Sequence, residues 1–110
     1  YVLRSFDDMG QTLTIPRGLD DDHEGILYIG KAKLFCHRTG DLARSFSSQY
    51  QQSKHHSGQR YWGDTRYQKR YPYDHLRMFM WVSDNPTELE QSFFQSYLGK
   101  FGETPPLNRV

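Results

Sequence analysis

The stretch Asn85-Pro86-Thr87-Glu88, followed by apolar residues at helical spacing, limits this chain more than any other feature. An Asn cap, Pro at the first helical position and Glu three residues after the cap form a strong helix-start signal. On a wheel turning about 100° per residue, Leu89, Phe93, Phe94, Tyr97, Leu98 and Phe101 fall within roughly half the circumference. A helix running to about Gly99 or Gly102 must therefore bury that face against another layer.

Upstream, residues 1–6 and 25–29 are short apolar segments read as strands, joined by a long polar loop over residues 7–24 with a small extra strand near residues 12–15. Residues 34–52 repeat Phe35, Thr39, Leu42 and Phe46 at helical spacing. Residues 53–73 lack a period and read as loop or short helical pieces. Residues 75–82 alternate Leu76, Met78, Met80 and Val82 with Arg77, Phe79 and Trp81, the pattern of a strand covered on both sides. The order strand, strand, helix, irregular stretch, strand, helix predicts an α+β fold with one small sheet covered by helices. With 110 residues, one domain is expected.

Net charge is only +1, so attraction for a polyanion must come from local distribution. The first 25 residues are acidic. Residues 54–71 hold Lys54, Arg60, Arg66, Lys69 and Arg70 against Asp64, with Tyr61, Trp62, Tyr67 and Tyr71 between them. Cations that grip phosphates and rings that stack on bases suit nucleic acid. The basic aromatic segment, taken as 54–73, is the expected docking surface. Cys36 is the only cysteine, which points to a reducing, cytoplasmic compartment, and no run approaches the roughly 20 apolar residues a bilayer needs. The chain opens on Tyr1 rather than Met, implying that preceding residues were removed or lie outside this segment.

Glu90 falls in the middle of the last helix's apolar stripe, where a carboxylate is costly unless paired or bound to a cation. A salt bridge to an arginine from the sheet is the structural alternative. Arg38 lies at the edge of the apolar stripe of residues 34–52, whereas Arg44 faces the opposite way. Asp20, Asp21 and Asp22 lack the Gly and Glu of a calcium loop and read as a solvated turn. Cys36, His37, His55 and His56 lack paired zinc spacing.

Taken in order, these residues resemble a family. Gly25-Ile26-Leu27-Tyr28-Ile29-Gly30-Lys31-Ala32 looks like the second half of the GIY-YIG nuclease signature, and Tyr1-Val2-Leu3-Arg4 like the end of the first. Arg38 stands where such proteins place their helix arginine, Glu90 with Phe93, Phe94 and Tyr97 matches their late acidic helix, and Asn108 matches an asparagine that often closes the domain. The sequence departs from the family in its long 7–24 loop and in Leu42, which occupies the place of a His or Tyr. His55 or His56 is the candidate replacement.

The resemblance implies a three-stranded, mainly antiparallel sheet flanked by helices and a metal-dependent endonuclease acting on DNA. Glu90 would hold one Mg²⁺ or Mn²⁺, and Arg38 would stabilise phosphoryl charge. Tyr1 or Tyr28, assisted by Lys31 or a histidine, would take the proton of the attacking water. Lys54, Arg60, Trp62, Arg66, Lys69, Arg70 and Asn108 are the expected nucleic-acid contacts. Specificity would come from the inserted acidic loop, the basic stretch, an added domain or a homodimer, and no membrane partner is expected. Two rivals share these features: a non-catalytic nucleic-acid-binding module of the same fold, and a protein-interaction domain anchored by its aromatic residues.

Overall fold

The computed structural model describes residues 1–32 and 56–108. The helix expected over residues 34–52 lies outside them. Among the described residues, the chain forms β1 (Val2–Ser5), β2 (Ile15–Pro16), β3 (Asp21–Asp22), β4 (Ile26–Ile29), α1 (His56–Gly63), α2 (Thr65–Arg70), a 3₁₀ turn (Tyr73–His75), β5 (Leu76–Phe79) and α3 (Pro86–Phe101). This is a small α+β fold. No helix of the described residues is long and apolar enough to cross a membrane.

The sheet has the order β4-β1-β5, antiparallel throughout. β1 is central and covered on both faces, which is why Val2, Leu3 and Ser5 are all buried. One layer packs Tyr1, Leu3 and Leu27 against Tyr61 of α1, Tyr71 and Leu107. The other packs Val2 and Ile29 against Tyr97 and Phe101 of α3. Burying an aromatic side chain of this size stabilises a fold by about 1.5–3 kcal/mol, so α3 is held chiefly by these two rings. The pairing of β1 with β4 carries a bulge: Arg4 faces Ile26, but Leu3 faces Tyr28 and Val2 faces Ile29. Leu27 is the extra residue, so Leu27 and Tyr28 both pack in the α1 layer.

α3 forms as its sequence predicts. The Asn85 side chain accepts from the Glu88 backbone N–H at 3.2 Å and donates to the Glu88 carboxylate at 3.1 Å, while Pro86 occupies the first turn. The helix stops where Gly102 adopts φ 77° and its N–H reaches the Leu98 carbonyl. Leu98, placed at the margin of the apolar stripe, is 47% exposed.

Two expectations need correction. β5 covers only Leu76–Phe79, not residues 75–82: His75 ends the 3₁₀ turn after Pro72, and the chain leaves the sheet at Met80. β5 is not covered on both faces: Leu76, Met78 and Phe79 are half-buried and Arg77 is exposed, and beyond the strand Val82 is 93% exposed. Asp22 is not part of a solvated turn. It is fully buried, accepting from the backbone N–H groups of Glu24 and Ile26 and from the Tyr97 hydroxyl at 2.9 Å.

The long 7–24 loop is thereby tied to α3. β2 and β3 form a two-stranded hairpin, Arg17 pairs with Glu103 at 3.1 Å and donates to the Thr104 carbonyl, and the Leu19 N–H donates to the Phe101 carbonyl. Residues 56–73, expected as loop or short helical pieces, are two short helices and a turn. Asp64 caps α2 by accepting from the Arg66 N–H.

Candidate active-site cleft

Where β4 leaves the sheet, a cleft of about 100 Å³ opens between Gly30, Lys31 and Ala32 on one side and the first turns of α3 on the other. Tyr1, Glu90, Trp81 and Phe93 complete its main walls. Tyr1, Lys31 and Glu90, three residues predicted for the site, thus meet in one place from three distant parts of the sequence.

The Tyr1 and Gly30 backbones exchange two hydrogen bonds, at 2.8 and 2.9 Å, so the two residues face each other across the ladder. The Tyr1 ring folds over Gly30. A Cβ at position 30 would lie 2.4 Å from Tyr1 Cζ, 2.5 Å from its hydroxyl and 2.8 Å from Tyr28 Cε1. Only a residue without a side chain leaves room for both rings. Tyr28 sits behind Tyr1, ring centroids 5.9 Å apart, and is not part of the cleft wall.

Glu90 is half-buried on α3, and no hydrogen bond or ion pair reaches its carboxylate from the described residues. The sheet's arginines are occupied elsewhere. Arg4 donates from Nε to the Glu24 carbonyl and stacks over Phe79, and Arg77 donates to the carbonyls of Asp74 and Leu76. The structural alternative for Glu90, a salt bridge from the sheet, is therefore not made by the described residues. Lys31 reaches across the cleft, donating from Nζ to Thr87 Oγ1 at 3.0 Å.

Glu90 is the only carboxylate among the described residues that line the cleft. Among the described residues no cluster of three or more His, Cys, Asp or Glu forms. A divalent ion here would rest on one carboxylate, water and substrate oxygens, a set that suits Mg²⁺.

The residues expected to grip nucleic acid divide into two groups. Arg66, Lys69 and Arg70 are exposed and share one face of α2 at i, i+3, i+4 spacing. Arg66 is held by Asp64 at 2.7 Å, and Arg70 lies over the Tyr71 ring at 5.7 Å. The other three are engaged in holding the fold. Arg60 donates to the Leu107 carbonyl, and Trp62 packs edge-on against Tyr61, its indole nitrogen buried without a partner among the described residues. Asn108 accepts from the Ile29 N–H and donates to the Ile29 carbonyl, both at 2.9 Å. β4 is an edge strand, and these two bonds satisfy backbone groups that face away from β1. Arg38, Lys54 and His55 lie outside the described residues, as do Arg44 and the side chain of His56.

Sequence reasoning missed Gly30 as the floor beneath Tyr1, Thr87 as the partner of Lys31, and Trp81 as a cleft wall. Only Gly30 carried a signal, as the one residue in its segment able to accept a ring at van der Waals distance. Compared with known proteins, the chain matches no family model, no curated protein and no solved structure.

Proposed function

We propose that this chain is a GIY-YIG-type endonuclease domain that hydrolyses DNA phosphodiester bonds with a divalent metal. The observation that carries the reading is the meeting of Tyr1, Lys31 and a Glu90 carboxylate that no described residue engages in one cleft beside Gly30. The α+β order, the antiparallel sheet and the basic face of α2 support it.

In this reading Glu90 holds Mg²⁺ or Mn²⁺, largely through waters, and the ion when bound neutralises charge on the scissile phosphate and leaving oxygen. Lys31, anchored on Thr87, holds a positive charge at the cleft wall, where it attracts a phosphate oxygen and favours a nearby phenolate. The Tyr1 oxygen, confined over Gly30, accepts the proton of the attacking water as the phenolate, its own proton having passed to solvent beforehand. Tyr28 buttresses that ring. Arg38 supplies the donor that stabilises the phosphoryl oxygens, with His55 or His56 assisting. Lys69 and Arg70 hold the flanking backbone, so that binding falls steeply with added salt.

Supercoiled plasmid incubated with Mg²⁺ or Mn²⁺, with and without a chelator, tests the reading. Wild type nicks the plasmid only with metal, and Glu90→Gln lowers the rate by about 10²-fold or more. The variant stays folded because no described partner of the carboxylate is lost. Plasmid bound but left intact under every metal refutes the nuclease and leaves a binding module.

A further inference from the structure

Beside the cleft lies a second, larger concavity of about 270 Å³, between α3 and the α3-facing side of the sheet. Its size is close to the lower end of ligand pockets, roughly 300–1,000 Å³. Trp81 and Phe93 border both hollows, so a polymer crossing the cleft meets this groove next. The two rings meet edge to face at 5.2 Å, and Trp81 remains 45% exposed.

Two cations line the same groove. Arg4 uses only Nε within the described structure; its guanidinium carbon lies over the Phe79 ring, 4.7 Å from the centroid. Lys100 rests over Phe101 at 5.3 Å, with no ion pair to a described residue. Glu24 is the only carboxylate among the lining residues. An apolar hollow with a half-exposed indole and an excess of cations favours a ligand that is both planar and anionic.

We propose that this groove receives an unpaired nucleotide adjoining the cleaved bond, its base against Trp81 and Phe93 and its phosphate between Arg4 and Lys100. The proposal rests on the nuclease reading for its substrate but not for its test. A base within a duplex has its faces covered by neighbours, so a stacking wall selects single strands, flaps or frayed ends.

The test is the fluorescence anisotropy of a short dye-labelled oligothymidylate in chelator, where no cleavage occurs, with tryptophan emission followed in parallel. Trp62 is packed against Tyr61, and Trp81→Ala assigns the signal. Wild type is expected to show a change in emission and to bind the single strand more tightly than a blunt duplex at equal salt. Trp81→Ala should weaken binding about tenfold. Lys100→Glu, at an exposed position that guards against misfolding, should weaken it severalfold and flatten the salt dependence.

Equal binding by wild type and both variants overturns the proposal, as does equal affinity for the blunt duplex. An apolar peptide binding more tightly than the oligonucleotide also overturns it, in favour of a protein partner. The outcomes separate from those of the plasmid assay. Cleavage without Trp81-dependent binding leaves the nuclease standing and removes the groove; the reverse supports the groove and removes the nuclease.

Discussion

Gly30→Ala tests the geometry of the cleft without touching a titratable group. Gly30 is not in the left-handed region, so alanine there carries no backbone strain. Restricting the unfolded chain would by itself stabilise the protein by about 0.4–1 kcal/mol. Against this, the new methyl would stand 2.4 Å from Tyr1 Cζ, and the Tyr1 ring, 5% exposed and backed by Tyr28, has little room to retreat. Overpacking of this kind costs about 1–3 kcal/mol. The net expectation is a loss of about 1–2 kcal/mol, or roughly 5–10 °C in Tm. Urea denaturation of wild type, Gly30→Ala, Tyr1→Ala and the double variant closes a cycle. In the Tyr1→Ala background the Gly30→Ala change should become neutral or stabilising, giving a coupling of about 1–3 kcal/mol. An equal cost in both backgrounds would refute the ring contact as the cause.

Asn108→Ala should lower stability by about 1–3 kcal/mol, because it leaves the N–H and carbonyl of Ile29 without partners. Asn108→Asp, which can still accept the N–H but cannot donate, should recover part of that loss in the same denaturant titration. Tyr61 gives a test at high pH. Its hydroxyl donates to the Tyr71 carbonyl at 2.6 Å, and burial, with help from Asp74, pushes its pKa up from 10 to about 12. The folded state thus favours the neutral phenol. Its stabilising contribution is complete below pH 10 and is lost as pH rises from 10 through 12. Melting temperatures across that window should fall less steeply for Tyr61→Phe than for wild type. Some slope remains, because burial and the Asp22 carboxylate also raise the pKa of Tyr97.

The parts of the fold that were legible depend on short-range chemistry. Asn85, Pro86 and Glu88 lie within one turn, so the start of α3 could be read before any tertiary contact was known. The phase of that helix also placed Glu90 among Phe93, Tyr97 and Phe101. The parts that were not legible depend on partners far along the chain. Asp22 meets Tyr97 across 75 positions, and nothing near Asp22 distinguishes it from its two exposed acidic neighbours. Arg60 was read as a nucleic-acid contact from its charge and Asn108 from the family resemblance, but each satisfies a backbone group on a distant segment. The end of β5 failed for a third reason. Alternating residues mark a strand, but where it ends and how well its faces are covered depend on which distant segments pack against it.

The bulge at Leu27 has a consequence for which changes in length the chain can survive. In a regular ladder starting from Arg4 opposite Ile26, Tyr1 would stand opposite Ile29. The side chain of Ile29 would then occupy the space through which the Tyr1 ring now passes, and Tyr28 would turn toward α3. One residue of slack brings a glycine to that place instead. A deletion within β4 would therefore shift the reading frame of the strand and dismantle the aromatic pair even if every hydrogen bond re-formed. Insertions between Asp7 and Thr14, ahead of the hairpin, would leave that count unchanged.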